Sequence, residues 1–289
     1  MKNKISKFLK DFLFNTFETK PFIYFSRMYY GNLSGMKQNF YGRFHLILVR
    51  LLGIFNKKKR TDEKIFNYTE KLKNEGFVYI TDLDVEKIKK IRESVRSIQQ
   101  KKPLINGIYK FCSTSDLKNL HPLISEIFSS QMLDLIHAYY NSSFKTSHVM
   151  SKHTYNIKNK GSKELISEFW HCDSVPASLL QIFIPLRKVT KNDGPFQVIS
   201  KHDSKKIVRL GYNRGQKSFN KMIKSSKSFF EFTGEVGSAL IVQVGSCLHR
   251  ATIPKSNCER ELMNLHIVPV FGQTKTAEFS QSWIYRLTH

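Results

Sequence analysis

Cysteine is scarce in this chain of 289 residues: Cys112, Cys172, Cys247 and Cys258 are the only four, and no two form a CxxC pair. That excludes a disulfide framework and the common structural zinc sites, and it fits a reducing compartment. Long apolar runs are also missing. The longest, residues 44–55, is broken by His45 and Arg50, whereas a membrane-spanning helix needs roughly 20 apolar residues. Lys2, Lys4 and Lys7 open the chain without a following hydrophobic core or small-residue cleavage site, so no secretory signal is expected. Neither an internal repeat nor a low-complexity tract is visible. Acidic residues are in short supply, with 23 Asp+Glu against 47 Lys+Arg and a formal net charge of +24. Such a field favours anionic partners: nucleic acid, an acidic membrane surface, or small molecules bearing phosphate or carboxylate.

The positive charge is uneven. Residues 1–60 hold 13 Lys+Arg and two acids. Ile5, Phe8, Leu9, Phe12 and Leu13 recur at helical spacing between lysines, and residues 44–55 lead into Lys57-Lys58-Lys59-Arg60. Two readings fit: a basic amphipathic extension lying on an anionic membrane surface, or helices packing their apolar faces on the rest of the protein. A boundary is expected at residues 61/62. From there the pattern predicts a helix over 63–74 ending at Gly76, a strand over 77–80, a helix capped by Asp84 and running to 100, and a helix over 121–140. Strands are expected at 147–157, 167–173, 177–186, 196–199, 238–244 and 262–270. Helices first and many short strands afterwards indicate an α+β chain on a jelly roll or barrel. Residues 201–228 carry nine Lys+Arg and the single acid Asp203. That stretch reads as a solvated face, or as a basic lid drawing in an anionic substrate.

The chemistry concentrates in Trp170-His171-Cys172-Asp173. On a strand, His171 and Asp173 share one face. A second histidine from elsewhere, His249, would complete a 2-His-1-carboxylate set, the arrangement that holds non-haem Fe(II) with open positions for co-substrate and oxygen. Arg260 lies eleven residues beyond His249, after a turn. An arginine there can grip a carboxylate through two parallel hydrogen bonds, which lysine cannot reproduce. The competing reading of Arg260 is a surface ion pair with Glu259 or Glu261. His45, His121, His137, His148, His153 and His289 read as structural or surface residues, and His202 as a loop anchor.

The order of these pieces resembles the phytanoyl-CoA dioxygenase family of Fe(II)/2-oxoglutarate oxygenases. It runs from Trp170-His171-x-Asp173 through Asn192-Asp193-Gly194-Pro195, Ser200-Lys201-His202 and the lead strand 235–241 to His249 and then Arg260. With Lys73-Asn74-Glu75-Gly76-Phe77-Val78 as the opening turn, the resemblance covers about residues 65–270. It implies a double-stranded β-helix (jelly-roll, cupin-like) core with N-terminal flanking helices, spanning an oxygenase domain over 62–289 behind a basic extension over 1–61. It also implies Fe(II) on His171, Asp173 and His249, and 2-oxoglutarate on Arg260, with Lys152 and Asn156 as further co-substrate contacts. Asn264 would be a polar pocket residue, O2 the oxidant and ascorbate an auxiliary reductant. The implied reaction is hydroxylation of a small or lipid- or phosphate-linked substrate, coupled to decarboxylation of 2-oxoglutarate to succinate and CO2. Asp173 favours this over halogenation, since related halogenases lack the carboxylate. One departure is Ala251, where many members place Ser or Thr. The expected setting is cytoplasmic or peripheral at the inner face of a membrane, with nucleic acid disfavoured as a partner. The competing class is a non-catalytic jelly-roll binding protein acting on an anionic membrane or polyanion.

Overall fold

The computed structural model describes residues 62–270 apart from 106–107, 156–167, 174 and 176–178, together with residues 47, 274 and 276. The amphipathic helices expected within residues 1–60 lie outside the described residues except for Ile47, which is helical. The elements are α1 (Glu63–Glu75), β1 (Phe77–Ile80), α2 (Val85–Gln100), β2 (Tyr109–Cys112), α3 (His121–Ser125), α4 (Ser130–Tyr140), β3 (Ser143–Tyr155) and β4 (Leu180–Pro185). There follow β5 (Phe196–Val198), α5 (Lys201–Arg209), α6 (Asn220–Lys224), β6 (Phe230–Phe232), β7 (Ala239–Val242), β8 (His249–Ala251) and β9 (Glu259–Val270). A six-stranded sheet, β1-β7-β4-β9-β3-β2, faces a three-stranded sheet, β6-β5-β8, and every pairing is antiparallel. This is the expected jelly-roll core with flanking helices.

The two strand faces bury different partners. Outward residues of the large sheet, among them Ile80, Ile182, Ile184, Ile241, Met263 and Leu265, pack beneath the helices with Leu72, Ile88, Ile91, Leu135 and Ile136. Inward residues meet the small sheet in a second cluster around Phe77, Phe183, Leu240, Val242, Phe196 and Phe232. The helices begin as their sequences direct. Asp62 accepts from the Lys64 N–H at 2.9 Å and Asp84 from that of Lys87 at 3.1 Å, satisfying donors that the first turn leaves open. The expected helix over 121–140 is two helices, α3 and α4. Ser129 between them caps α4 through Met132 N–H, so the local cap outcompetes a continuous run.

The end of α1 carries the fold toward the site. Gly76 sits at φ 89°, and a Cβ there would lie 2.4 Å from Cys247 Sγ. Its carbonyl accepts from Gln243 N–H at 2.8 Å, while Gln243 Nε2 donates to Leu72 O at 2.8 Å. The loop leading to His249 is thereby fastened to the first helix.

On the outer face of β9, Glu259 and Glu261 meet a group of cations. Arg92 reaches Glu261 with two hydrogen bonds of 2.9 Å; Arg96 bonds the same carboxylate, Arg187 bonds Glu259 at 2.7 Å, and His153 Nε2 lies 2.9 Å from Glu259. Burial would push the Glu261 carboxyl up, but the two arginines hold it at about 2. The carboxylate is more acidic folded than unfolded, so its contribution is complete above an ordinary glutamate pKa and is lost as pH falls toward 2. Glu261→Gln should cost about 3 kcal/mol at neutral pH. Urea titrations of wild type and variant should converge as pH is lowered from 5 to 3.

Candidate metal centre

His171 and His249 face each other across an isolated antiparallel bridge, with reciprocal backbone hydrogen bonds of 3.0 and 2.9 Å. The expected strand over 167–173 reduces to this one bridge among its described residues, extended by Asp173 N–H donating to Val244 O at 2.9 Å. Alternation nevertheless survives. Trp170 and Cys172 turn into a third apolar cluster with Leu248, Ile207, Tyr212 and Ile223, while His171 and Asp173 turn to the other side. Arg250 lies over the Trp170 ring at 4.8 Å and donates to Gln197 at 2.8 Å, which fixes the indole behind the His-x-Asp segment.

The three side chains converge. Asp173 Oδ1 is 3.3 Å from His171 Nε2 and 3.6 Å from His249 Nε2, and the ring centroids are 4.4 Å apart. Each histidine has its Nδ1 against a backbone carbonyl: His171 on Phe169 O at 2.7 Å and His249 on Cys247 O at 2.9 Å. These contacts assign the ring proton to Nδ1 and leave both Nε2 lone pairs directed at the same point. Burial and the neighbouring His249 ring lower the His171 pKa, so its imidazole is neutral and able to ligate. Burial alone would raise the Asp173 carboxyl; before a metal binds, positive charge and Nε2–H donation from the imidazoles outweigh it and hold the group well below the carboxylate range, a role that a bound cation would take over. A divalent ion fits this donor set. Among the described residues one other group could be considered, His153 with Glu259 and Glu261, but its carboxylates are already engaged by three arginines.

The remaining carboxylate oxygen is held from the large sheet. Gln181 Nε2 donates to Asp173 Oδ2 at 3.1 Å, and Asn264 Nδ2 donates to Gln181 Oε1 at 3.1 Å. Asn264 thus points inward as expected but serves to orient Gln181. Gln181 itself was not anticipated. The available signal was a lone amide in the apolar strand Leu180–Pro185, since a buried polar group requires a partner.

Arg260 is also on the inner face, directly across from Thr154 on β3. Glu259 and Glu261 alternate outward, which removes the ion-pair reading of Arg260. The strand of Arg260 does not adjoin that of His249. β8 lies in the small sheet beside β5 and β9 in the large sheet between β4 and β3, because the turn after β8 crosses from one sheet to the other. Arg260 approaches from the opposite wall and donates to Thr252 O at 2.9 Å. That carbonyl is set by the Asn192–Pro195 turn. Thr252 donates N–H and hydroxyl to Pro195 O, and a Cβ on Gly194 would lie 2.5 Å from Thr252 O.

The guanidinium is buried, which lowers its pKa to about 10, opposed only in part by the charge of Asp193. Lys152, across from Leu262 in the same sheet, places its ammonium 4.0 Å from the Tyr109 ring. Burial, and then the nearby Arg260 charge, depress it to about 8. Asp193 and Glu168 offset these shifts only in part, so the buried Arg260 and the half-buried Lys152 leave this wall with a positive balance that suits an anion. Asn156 lies outside the described residues.

A second residue that was not anticipated is Arg214. Tyr212 donates its hydroxyl to Trp170 O at 2.6 Å, and a Cβ on Gly215 would be 3.9 Å from the Phe169 ring. Between these contacts Arg214 comes within electrostatic reach of Asp173 and His171.

No family model matches the chain, and no curated protein matches it. Solved structures do. EctD from S. alaskensis with bound Fe superposes with a TM-score of 0.55 at 11% identity, covering 80% of this chain and 87% of that one. The same protein with 2-oxoglutarate and 5-hydroxyectoine superposes with a TM-score of 0.53 at 10% identity, covering 74% and 79%. The shared feature is the fold. At these identities the likeness reaches the jelly-roll core and its helices, and the narrower resemblance to the phytanoyl-CoA dioxygenases has no family match behind it.

Gln181→Leu should keep the fold and weaken metal binding by about 10- to 100-fold. Calorimetric titration of the metal-free protein with Mn(II) or Co(II) measures this, with His171→Ala as the variant expected to abolish binding.

Proposed function

We propose that the protein is an Fe(II)- and 2-oxoglutarate-dependent oxygenase that hydroxylates a small organic substrate carrying an anionic or lipid-linked group. The observation that carries this reading is the meeting of two features on one inner surface: the His171–Asp173–His249 convergence, and the cations Arg260, which is buried, and Lys152, which is half-buried.

His171, Asp173 and His249 would hold the ferrous ion. When bound, the ion would supply activation of O2, coupled to decarboxylation of 2-oxoglutarate to succinate and CO2. Arg260 grips the distal carboxylate of the co-substrate, Lys152 adds a second positive charge, and Asn156 is proposed as a further polar contact. The Thr252 carbonyl holds the guanidinium in place where Ala251 supplies no hydroxyl. Gln181 and Asn264 fix the Asp173 carboxylate, so that one oxygen remains for the metal. Asp173 occupies the position that a halide would need, in keeping with hydroxylation. No side chain is required as general base; ascorbate would serve only to restore the ferrous state.

The basic balance of the chain and the approach of Arg214 to the centre favour an anionic substrate over a neutral one. The setting proposed is the cytoplasm or the inner face of a membrane, with residues 1–60 as a peripheral contact. Among the described residues no helix is long and apolar enough to cross a bilayer.

The test is anaerobic titration of the metal-free protein with Fe(II) and 2-oxoglutarate, followed by visible absorption. A charge-transfer band is expected in the wild type, absent in His171→Ala and weakened in Arg260→Ala. No band from folded protein would leave a non-catalytic jelly-roll binding protein as the better account.

Lys152 provides a separate check. Its ammonium titrates at about 8 in the folded chain and near the ordinary lysine value when unfolded. Between those values the unfolded state binds more protons, so this group's contribution to stability rises with pH. Lys152→Met should raise the unfolding temperature of the co-substrate-free protein, reflecting roughly 3 kcal/mol at neutral pH, while weakening 2-oxoglutarate binding. The stability gain should shrink as pH goes from 8 to 10.

A further inference from the structure

We propose that the surface built by residues 201–228 docks the protein on an anionic membrane. The stretch is neither a loose loop nor only a solvated face. Ile207 of α5 and Ile223 of α6 enter the same cluster as Trp170, Cys172 and Leu248, and Ser204 Oγ accepts from Leu248 N–H at 2.7 Å. Lys201 is bonded to Lys73 O at the end of α1. Both helices are therefore fixed on the layer that carries the two metal-binding segments.

With those faces committed inward, the opposite faces are set by helical periodicity. On α5 the exposed positions are His202, Lys205, Lys206 and Arg209, one continuous stripe at helical spacing. On α6, Lys221 and Lys224 are exposed, and Lys227 follows. None of Lys205, Lys206, Arg209, Lys221, Lys224 and Lys227 forms an ion pair among the described residues. The single acid of the stretch, Asp203, is taken up by the hydroxyls of Ser226 and Ser228. Amid these cations two large apolar side chains stand in solvent: Leu210, 56% exposed, and Met222, 46% exposed.

Cations surrounding exposed aliphatic groups match a bilayer interface, where lysine and arginine meet anionic headgroups and the apolar tips enter the acyl boundary. A nucleic acid would call for aromatic platforms, and here the aromatics turn inward. Tyr212 is buried, Phe219 packs edge-on against it at 5.4 Å, and Phe229 packs on Trp170 at 6.3 Å. The surface is joined to the segment carrying His171 and Asp173 through the Tyr212–Trp170 hydrogen bond, on the side opposite the converging ligand atoms. The docking itself needs no metal and stands apart from the oxygenase reading.

The experiment is sedimentation of the full chain with phosphatidylcholine vesicles, with and without phosphatidylserine, at low and high salt. Binding to the anionic vesicles, released by salt, is expected. The combined change Lys205→Glu, Lys206→Glu and Arg209→Glu should lower partitioning by roughly a hundredfold. Leu210→Ser with Met222→Ser, which leaves charge untouched, should lower it by about tenfold or more. Thermal unfolding of each variant should match wild type, since every altered side chain points outward. Unchanged vesicle binding in the charge variant would assign any attraction to residues 1–60 and overturn the proposal. So would an apolar variant that binds vesicles like wild type while a polynucleotide competes for the same cations.

Discussion

The two-residue period of an extended chain is the constraint on which this molecule turns. Trp170 and Cys172 go one way and His171 and Asp173 the other, although only one residue of that segment is paired as a strand. The same period operates on β9, where Arg260 is sent into the barrel between two glutamates that are sent out of it. One alternation thus delivers the converging donor atoms and the Arg260 guanidinium to a common interior. It also delivers hydrophobic ballast and a stabilising ion network to the far sides.

The two sheets do different work. The large sheet supplies long strands whose register is over-determined, and it contributes Arg260, Lys152, Gln181 and Asn264. The small sheet and its edge supply His249 and, through the isolated bridge, His171 and Asp173. The centre is therefore assembled across a gap between layers, and the contacts spanning that gap fix its geometry: Gln181 to Asp173, Arg260 to Thr252, and Gln243 back to α1.

Much of this was legible in the sequence where the signal was local. The cap at Asp84, the helix end at Gly76, the apolar strands and the His-x-Asp spacing all encode their roles within a few residues. Other features depend on pairing between distant segments and leave only faint traces. The strand at Tyr109–Cys112 is only partly buried before its final residue and is recruited by the edge of β3. Gln181 has meaning only when Asp173 lies opposite. The placement of β8 and β9 in separate sheets is a matter of topology, and the seven residues between them fit either arrangement. The charge run at 201–228 suggested a solvated face, because the apolar residues that it buries, Ile207, Tyr212 and Ile223, are spread over two short helices and the turn between them rather than one long period.

Cys172 stands between His171 and Asp173, and Cys247 two residues before His249. Burial pushes both thiols far above their ordinary pKa, and both sulfurs lie in apolar clusters rather than with the ligand atoms. A thiolate at either position would add a soft donor and invite zinc or copper(I). By keeping both sulfurs protonated and turned away, the fold leaves a nitrogen–oxygen donor set. Discrimination among metals at the proposed site would then rest as much on two silenced neighbours as on the three groups that converge.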